Sequence, residues 1–153
     1  MQTKYFVAIA FAIAITTLAF NSLWAAQPQT FFAVLSGGNE PSDEGQAGVG
    51  DPNGTGSATI LVDSDRGMLC FAITVQNLAT PAAAHIHKNV AGRNGDIVVG
   101  LTAPTSGAPG ASSGCISGVN KNVLTQIKNT PGGFYVNVHT SEFPAGAIRG
   151  QLF

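Results

Sequence analysis

Hydrophobic and polar positions alternate over short runs along most of this chain, and Gly, Pro, Asn and Asp break the runs apart. Alternation with a period of two is the signature of strands that bury one face. Phe31 to Ser36 reads as a first strand, followed by the Gly- and acid-rich stretch Gly37 to Gly56. Ser57 to Val62 and Met68 to Val75 flank the turn Asp63-Ser64-Asp65-Arg66-Gly67, a hairpin signal. In the second of these, Phe71, Ile73 and Val75 share one face while Cys70, Ala72 and Thr74 share the other. Ala83 to His87 and Asp96 to Leu101 form another pair around the loop Lys88 to Gly95. A Gly/Ser/Pro-rich stretch from Pro104 to Gly114 reads as a connection. Phe134 to Thr140 and Ala145 to Phe153 close the chain.

Only one segment has helical spacing. Val123, Leu124 and Ile127 predict a helix over Lys121 to Lys128, capped by Asn120 or Asn122 and stopped by Pro131-Gly132-Gly133. Short strands at regular spacing predict an all-β fold, an antiparallel Greek-key sandwich or barrel with at most one short helix. The sequences after His87 and after His139 echo one another, each a glycine-bearing loop leading into a strand with Ile and Leu. That echo predicts two pseudo-symmetric hairpins.

The N-terminus has a different pattern. Lys4 precedes a run, Tyr5 to Phe20, that is apolar apart from Thr16 and Thr17, and Asn21 to Ala26 offers small residues for cleavage after Ala25 or Ala26. This is the layout of a secretory signal peptide over residues 1–26, and the run is short of the ~20 apolar residues a spanning helix needs. The mature domain is then 27–153, secreted or periplasmic, with no membrane insertion of its own. Removing Lys4 takes the formal net charge from −1 to −2. No basic patch remains for nucleic acid. Six of the eight acids lie between Glu40 and Asp65, within one loop-rich region.

Composition adds two chemical features. Cys70 and Cys115 are the only cysteines. In an exported chain two cysteines are read first as a disulfide, with Cα atoms within about 7 Å. The three histidines, His85, His87 and His139, all lie in two strand-like words, AHIH and YVNVHT. Alternation places His85 and His87 on one face opposite Ile86, and Tyr135, Asn137 and His139 on one face opposite Val136 and Val138. Three imidazoles that converge can hold one zinc or copper ion with a fourth position open. The competing reading is structural, with each histidine hydrogen-bonded to the glycine loop that follows it. Asn137 is placed to contact a histidine ligand, and Arg149 to attract an anion or to pair with Asp96, Glu142 or loop carbonyls.

Other candidates are weaker. Asp63-Ser64-Asp65 with Gly67 lacks the later Glu of a calcium loop and reads as a hairpin turn. Ser112, Ser113 and Ser117 have no nucleophile-elbow context. Asn53-Gly54-Thr55 matches a glycosylation acceptor. No phosphate loop and no acid/base pair is present.

The words AAHIHKNVAGRNGDIVVGL and GGFYVNVHTSEFPAGAIRGQLF, the opening FFAVLSGGNEP and the two cysteine positions resemble the CHRD domain, a family first named for repeats in chordin. The resemblance spans the mature chain and implies an extracytoplasmic β-sandwich module of the single-domain bacterial type. A fainter similarity is to copper/zinc superoxide dismutase, through the His-x-His strand, the Val-x-Val-His strand, a disulfide and an arginine near the C-terminus. That similarity implies His85, His87 and His139 as ligands and Arg149 as an anion-attracting residue. The dismutase also needs a histidine bridging two metals, and this chain has none left. The sequence therefore predicts an exported, non-catalytic binding or structural module with an extracellular or envelope ligand. The alternative is a mononuclear copper or zinc protein with a three-histidine site.

Overall fold

The computed structural model describes residues 27–105 and 110–153. The signal peptide expected over 1–26 lies outside the described residues. Eight strands form: β1 (Gln29–Ser36), β2 (Thr55–Asp63), β3 (Met68–Gln76), β4 (Pro81–Lys88), β5 (Asp96–Leu101), β6 (Gly110–Ser117), β7 (Phe134–Thr140) and β8 (Ile148–Gln151). One helix, α1 (Lys121–Asn129), precedes β7. The fold is all-β and antiparallel with one short helix, as the spacing of turns predicts. The strands belong to a single sheet in the order β5-β4-β7-β8-β1-β2-β3-β6, curled into a half-barrel. The joint at its middle is slight. β8 and β1 share the single pair Ser36 and Arg149, and two bonds between Phe32 and Phe153 of 3.0 and 3.1 Å extend it.

The inner face of the curl is the core. Phe31, Ala33 and Leu35 of β1 alternate inward with Ala58, Ile60 and Val62 of β2 and with Leu69, Phe71, Ile73 and Val75 of β3. Ile86, Val136, Val138, Ile148 and Leu152 complete it from the other half of the sheet, and α1 adds Leu124 and Ile127. Helix α1 starts where expected, because the Asn120 side chain accepts from the Asn122 N–H at 2.9 Å. The β2–β3 turn is held by Asp63, whose carboxylate accepts from the Arg66 backbone N–H and from its guanidinium at 2.9 Å.

Two boundaries differ most from expectation. Residues 110–114, read as connection, belong to edge strand β6, which pairs with β3 along its length. That strand is Gly, Ala and Ser for most of its course, so no hydrophobic alternation marks it. The last strand begins at Ile148 rather than Ala145, since Phe143 to Gly146 form a turn closed by the bond from Gly146 N–H to Phe143 O. Cys70 and Cys115 are direct partners across β3 and β6, disulfide-bonded, with Cα atoms 3.9 Å apart.

The outer face differs between its two halves. Over β4, β7 and β8 it is covered by the loops 37–54, 88–95 and 141–147, and polar side chains are buried beneath them: Glu40, Asn137 and Arg149 are each 1 % exposed. Over β1, β2 and β3 its outward side chains are mostly exposed, Phe32 and Val34 of β1 among them.

Candidate metal centre

His85 and His87 project from β4 to the outer face, and His139 joins them from the adjacent β7. Residue 85 pairs with Asn137 and residue 87 with Tyr135, so His139 sits diagonally from His85. Rings reach across such a diagonal. The result is a cluster in which each ring offers a nitrogen and all these nitrogens lie within 4.8 Å of one another. His85 Nδ1 is 3.1 Å from His139 Nε2. Two ligands at about 2 Å from one tetrahedral metal are separated by roughly 3.3 Å. His85 Nδ1–H donates a hydrogen bond to His139 Nε2 here, at a distance that two ligands of one metal would also take.

Loop carbonyls settle the tautomers of the other two rings. His87 Nδ1 lies 2.8 Å from Gly95 O, and His139 Nδ1 lies 3.1 Å from Pro144 O. A carbonyl only accepts, so each Nδ1 carries the hydrogen and donates it, and each neutral ring keeps its lone pair on Nε2. Nε2 of His87 is buried and has no hydrogen-bond partner. Burial holds the pKa of all three rings below the ordinary imidazole value. At His85 the neighbouring histidines lower it further, while the Gly95 and Pro144 carbonyls oppose the shift at His87 and His139. The rings are therefore neutral at neutral pH, which is the state that binds metal.

A second layer fixes this geometry. The Tyr135 ring stacks on His87, 6° from parallel with centroids 4.9 Å apart. The guanidinium of Arg149 lies 3.3 Å from the Tyr135 centroid, reaching it from β8, which flanks β7 on the side away from β4. Gly95 ties the two rings together. Its N–H donates to the Tyr135 hydroxyl at 3.1 Å and its carbonyl holds His87. A Cβ at Gly95 would collide with the Lys88 carbonyl, so only glycine fits.

Kinship follows from the same stretch of chain that builds the sheet and the cluster: a family model of the CHRD domain matches residues 31–152. The chain belongs to the CHRD family. No curated protein matches it. The matched span includes all three histidines, both cysteines and Arg149.

In this CHRD domain the remaining polar residues serve the loops rather than the rings. Arg149 donates to Val90 O at 3.0 Å and Gln151 Oε1 at 3.2 Å, with Asn94 Oδ1 at 3.5 Å, so a loop carbonyl partners it, and no ion pair joins it to Asp96 or Glu142. Tyr135 stands between its guanidinium and His87. Asn137 Nδ2 donates to Glu40 Oε2 at 2.9 Å, and no hydrogen bond joins Asn137 to a ring. Glu40 is a buried polar residue that the sequence does not single out. Its only signal is an acid directly after the β1 turn Gly37-Gly38-Asn39. Burial pushes its carboxyl up to about 7, against the pull of Arg149 and the Asn137 hydrogen bond. Gly146 makes room for that carboxyl, for a Cβ there would lie 2.5 Å from Oε1. Three neutral imidazoles without a carboxylate suit zinc or copper, not calcium or magnesium. No helix among the described residues is long and apolar enough to cross a membrane.

Proposed function

We propose that this CHRD domain is an exported, non-catalytic module that holds a single copper or zinc ion on His85, His87 and His139. The observation that carries the reading is the buried, unpartnered Nε2 of His87, beside a hydrogen-bonded His85–His139 pair at a distance that two ligands would also take. A histidine serving only to pin a loop needs one hydrogen bond, which Nδ1 of His87 already makes. Its second nitrogen would then be an uncompensated buried acceptor, at a cost of about 1–3 kcal/mol. A metal removes that cost and also uses the loop carbonyls, which orient His87 and His139 through their other nitrogens. Export is supported by the Lys4 and Tyr5–Phe20 pattern and by the disulfide, which persists in oxidising compartments.

The test is a cobalt(II) titration of the purified chain at neutral pH, followed by competition with zinc. One equivalent should bind with the visible absorption of a low-coordinate nitrogen site. Substituting all three histidines with Ala should abolish the spectrum while leaving the far-UV circular dichroism intact. A chain that takes up no metal, or whose uptake survives the triple substitution, would sink the reading. For export, the mass of protein recovered outside the cytoplasm should begin at Ala26 or Gln27.

A further inference from the structure

Between loops 37–54 and 88–95, with β8 beneath, lies a cavity of about 350 Å³ lined by Pro41, Ala47, Ala91, Gly92, Arg149 and Gln151 among others. Asn94 ties its walls together. Its Nδ2 donates to Pro41 O at 3.4 Å and to Asp43 Oδ1 at 3.2 Å, and its Oδ1 accepts from Arg149 Nη1 at 3.5 Å. Arg149 Nη2 donates to Val90 O, next to the lining residue Ala91, and to the lining residue Gln151. These bonds set the guanidinium at the floor of the cavity. Arg149 is 1 % exposed and stays charged. A buried charge is ordinarily paired. Among the described residues the one ion pair joins Arg66 to Asp63, so no carboxylate partners this guanidinium. Glu40 feels its charge, but the Glu40 carboxyl accepts from Asn137 instead. Val90 O, Gln151 Oε1 and Asn94 Oδ1 are neutral oxygens, fewer than the five N–H groups of a guanidinium.

We infer that this cavity binds an organic monocarboxylate, its charged end on Arg149 and its apolar part against Pro41, Ala47 and Ala91. A guanidinium matches a carboxylate in shape and charge, and the buried cation gains the anion it lacks. The choice of anion follows from the rim. Asp43 lies beside Asn94 and Glu44 is exposed next to it, so a second negative charge on the ligand would be repelled. That disfavours phosphate. Pro41 and Ala47 pair across a β-bridge on one side, and Ala91 adds a methyl group on the other. Cavities from roughly 300 Å³ upward hold small organic ligands, and a ring-sized apolar group would use these walls. The site is independent of the metal reading, because Tyr135 stands between the guanidinium and His87.

Nuclear magnetic resonance of the nitrogen-15-labelled full chain tests it, titrating benzoate, acetate and inorganic phosphate separately at constant ionic strength. Benzoate should give saturable shifts at the Arg149 Nε–H and at the amides of Ala47, Ala91 and Gly92. Acetate should bind more weakly, and phosphate most weakly of the three. Ala47 and Ala91 are exposed at the rim, so Phe can be placed there without disturbing the core. Ala47→Phe and Ala91→Phe should each fill the cavity and weaken benzoate binding at least about tenfold. The variant combining His85→Ala, His87→Ala and His139→Ala should bind benzoate as the wild type does, which separates this site from a carboxylate held by a metal. The absence of saturable shifts with benzoate overturns the proposal, as does phosphate binding more tightly than benzoate. So does benzoate binding that survives both Phe substitutions or is lost with the histidines.

Discussion

Tyr135 is held on both faces, by His87 and by Arg149, and its hydroxyl is held at the edge by Gly95. These contacts separate two substitutions. Tyr135→Phe keeps the stack and loses one hydrogen bond, costing about 1 kcal/mol of stability. Tyr135→Leu removes the stacking surface and frees the His87 ring, so it should also weaken zinc binding several-fold while Phe leaves affinity nearly intact. Calorimetric titration of the two variants checks this. Glu40 acts through pH. Its folded pKa of about 7 lies above its ordinary value of 4.5, so the folded state holds a proton that the unfolded chain releases. Its contribution is therefore complete below about pH 4.5 and is lost as pH rises to 7, by about 3 kcal/mol from the size of the shift. The histidines act in the opposite sense, since rings with lowered pKa cost stability as pH falls below the ordinary imidazole value. Glu40→Gln isolates the carboxyl. Its stability relative to wild type should climb between pH 5 and 8 in urea denaturation, and a flat difference would contradict the account.

Strand β6 is the element most dependent on a covalent tie. It is an edge strand with few large side chains, and the Cys70–Cys115 bond closes a 45-residue separation. Replacing both cysteines with Ser should cost about 4 kcal/mol in the chain-entropy account. Hydrogen exchange should quicken first at residues 110–117. The same strand shows where sequence reading fails. β4 and β7 are legible because Ile86, Val136 and Val138 alternate with polar side chains, and β3 because Phe71, Ile73 and Val75 do. In β6, pairing with β3 and the disulfide replace hydrophobic burial, and neither leaves a pattern in Gly-Ala-Ser-Ser-Gly. The histidine faces are legible for the same reason as β4 and β7. Glu40 is not, because loop 37–54 reaches it back over Asn137 through tertiary contacts that local sequence does not encode. Nor does alternation distinguish one curled sheet from two packed ones, since each strand buries one face either way.

At the scale of the whole molecule, the curl assigns different work to its two surfaces. The concave side takes aliphatic residues from every strand but β6, whose Ile116 packs only at its margin, while Val34 of β1 and Ile97 of β5 stay exposed. The convex side is then free for polar chemistry, and loops cover it where the histidines lie. Because the histidines face away from the aliphatic core, their replacement should change metal content without unfolding the domain. The most direct measurement is elemental analysis of the protein purified from its native compartment without chelators, beside the variant with Ala at 85, 87 and 139. The account predicts one equivalent of copper or zinc per chain in the wild type and none in the variant. Metal-free wild type that also fails to take up either ion on addition, or equal metal in both proteins, would contradict it.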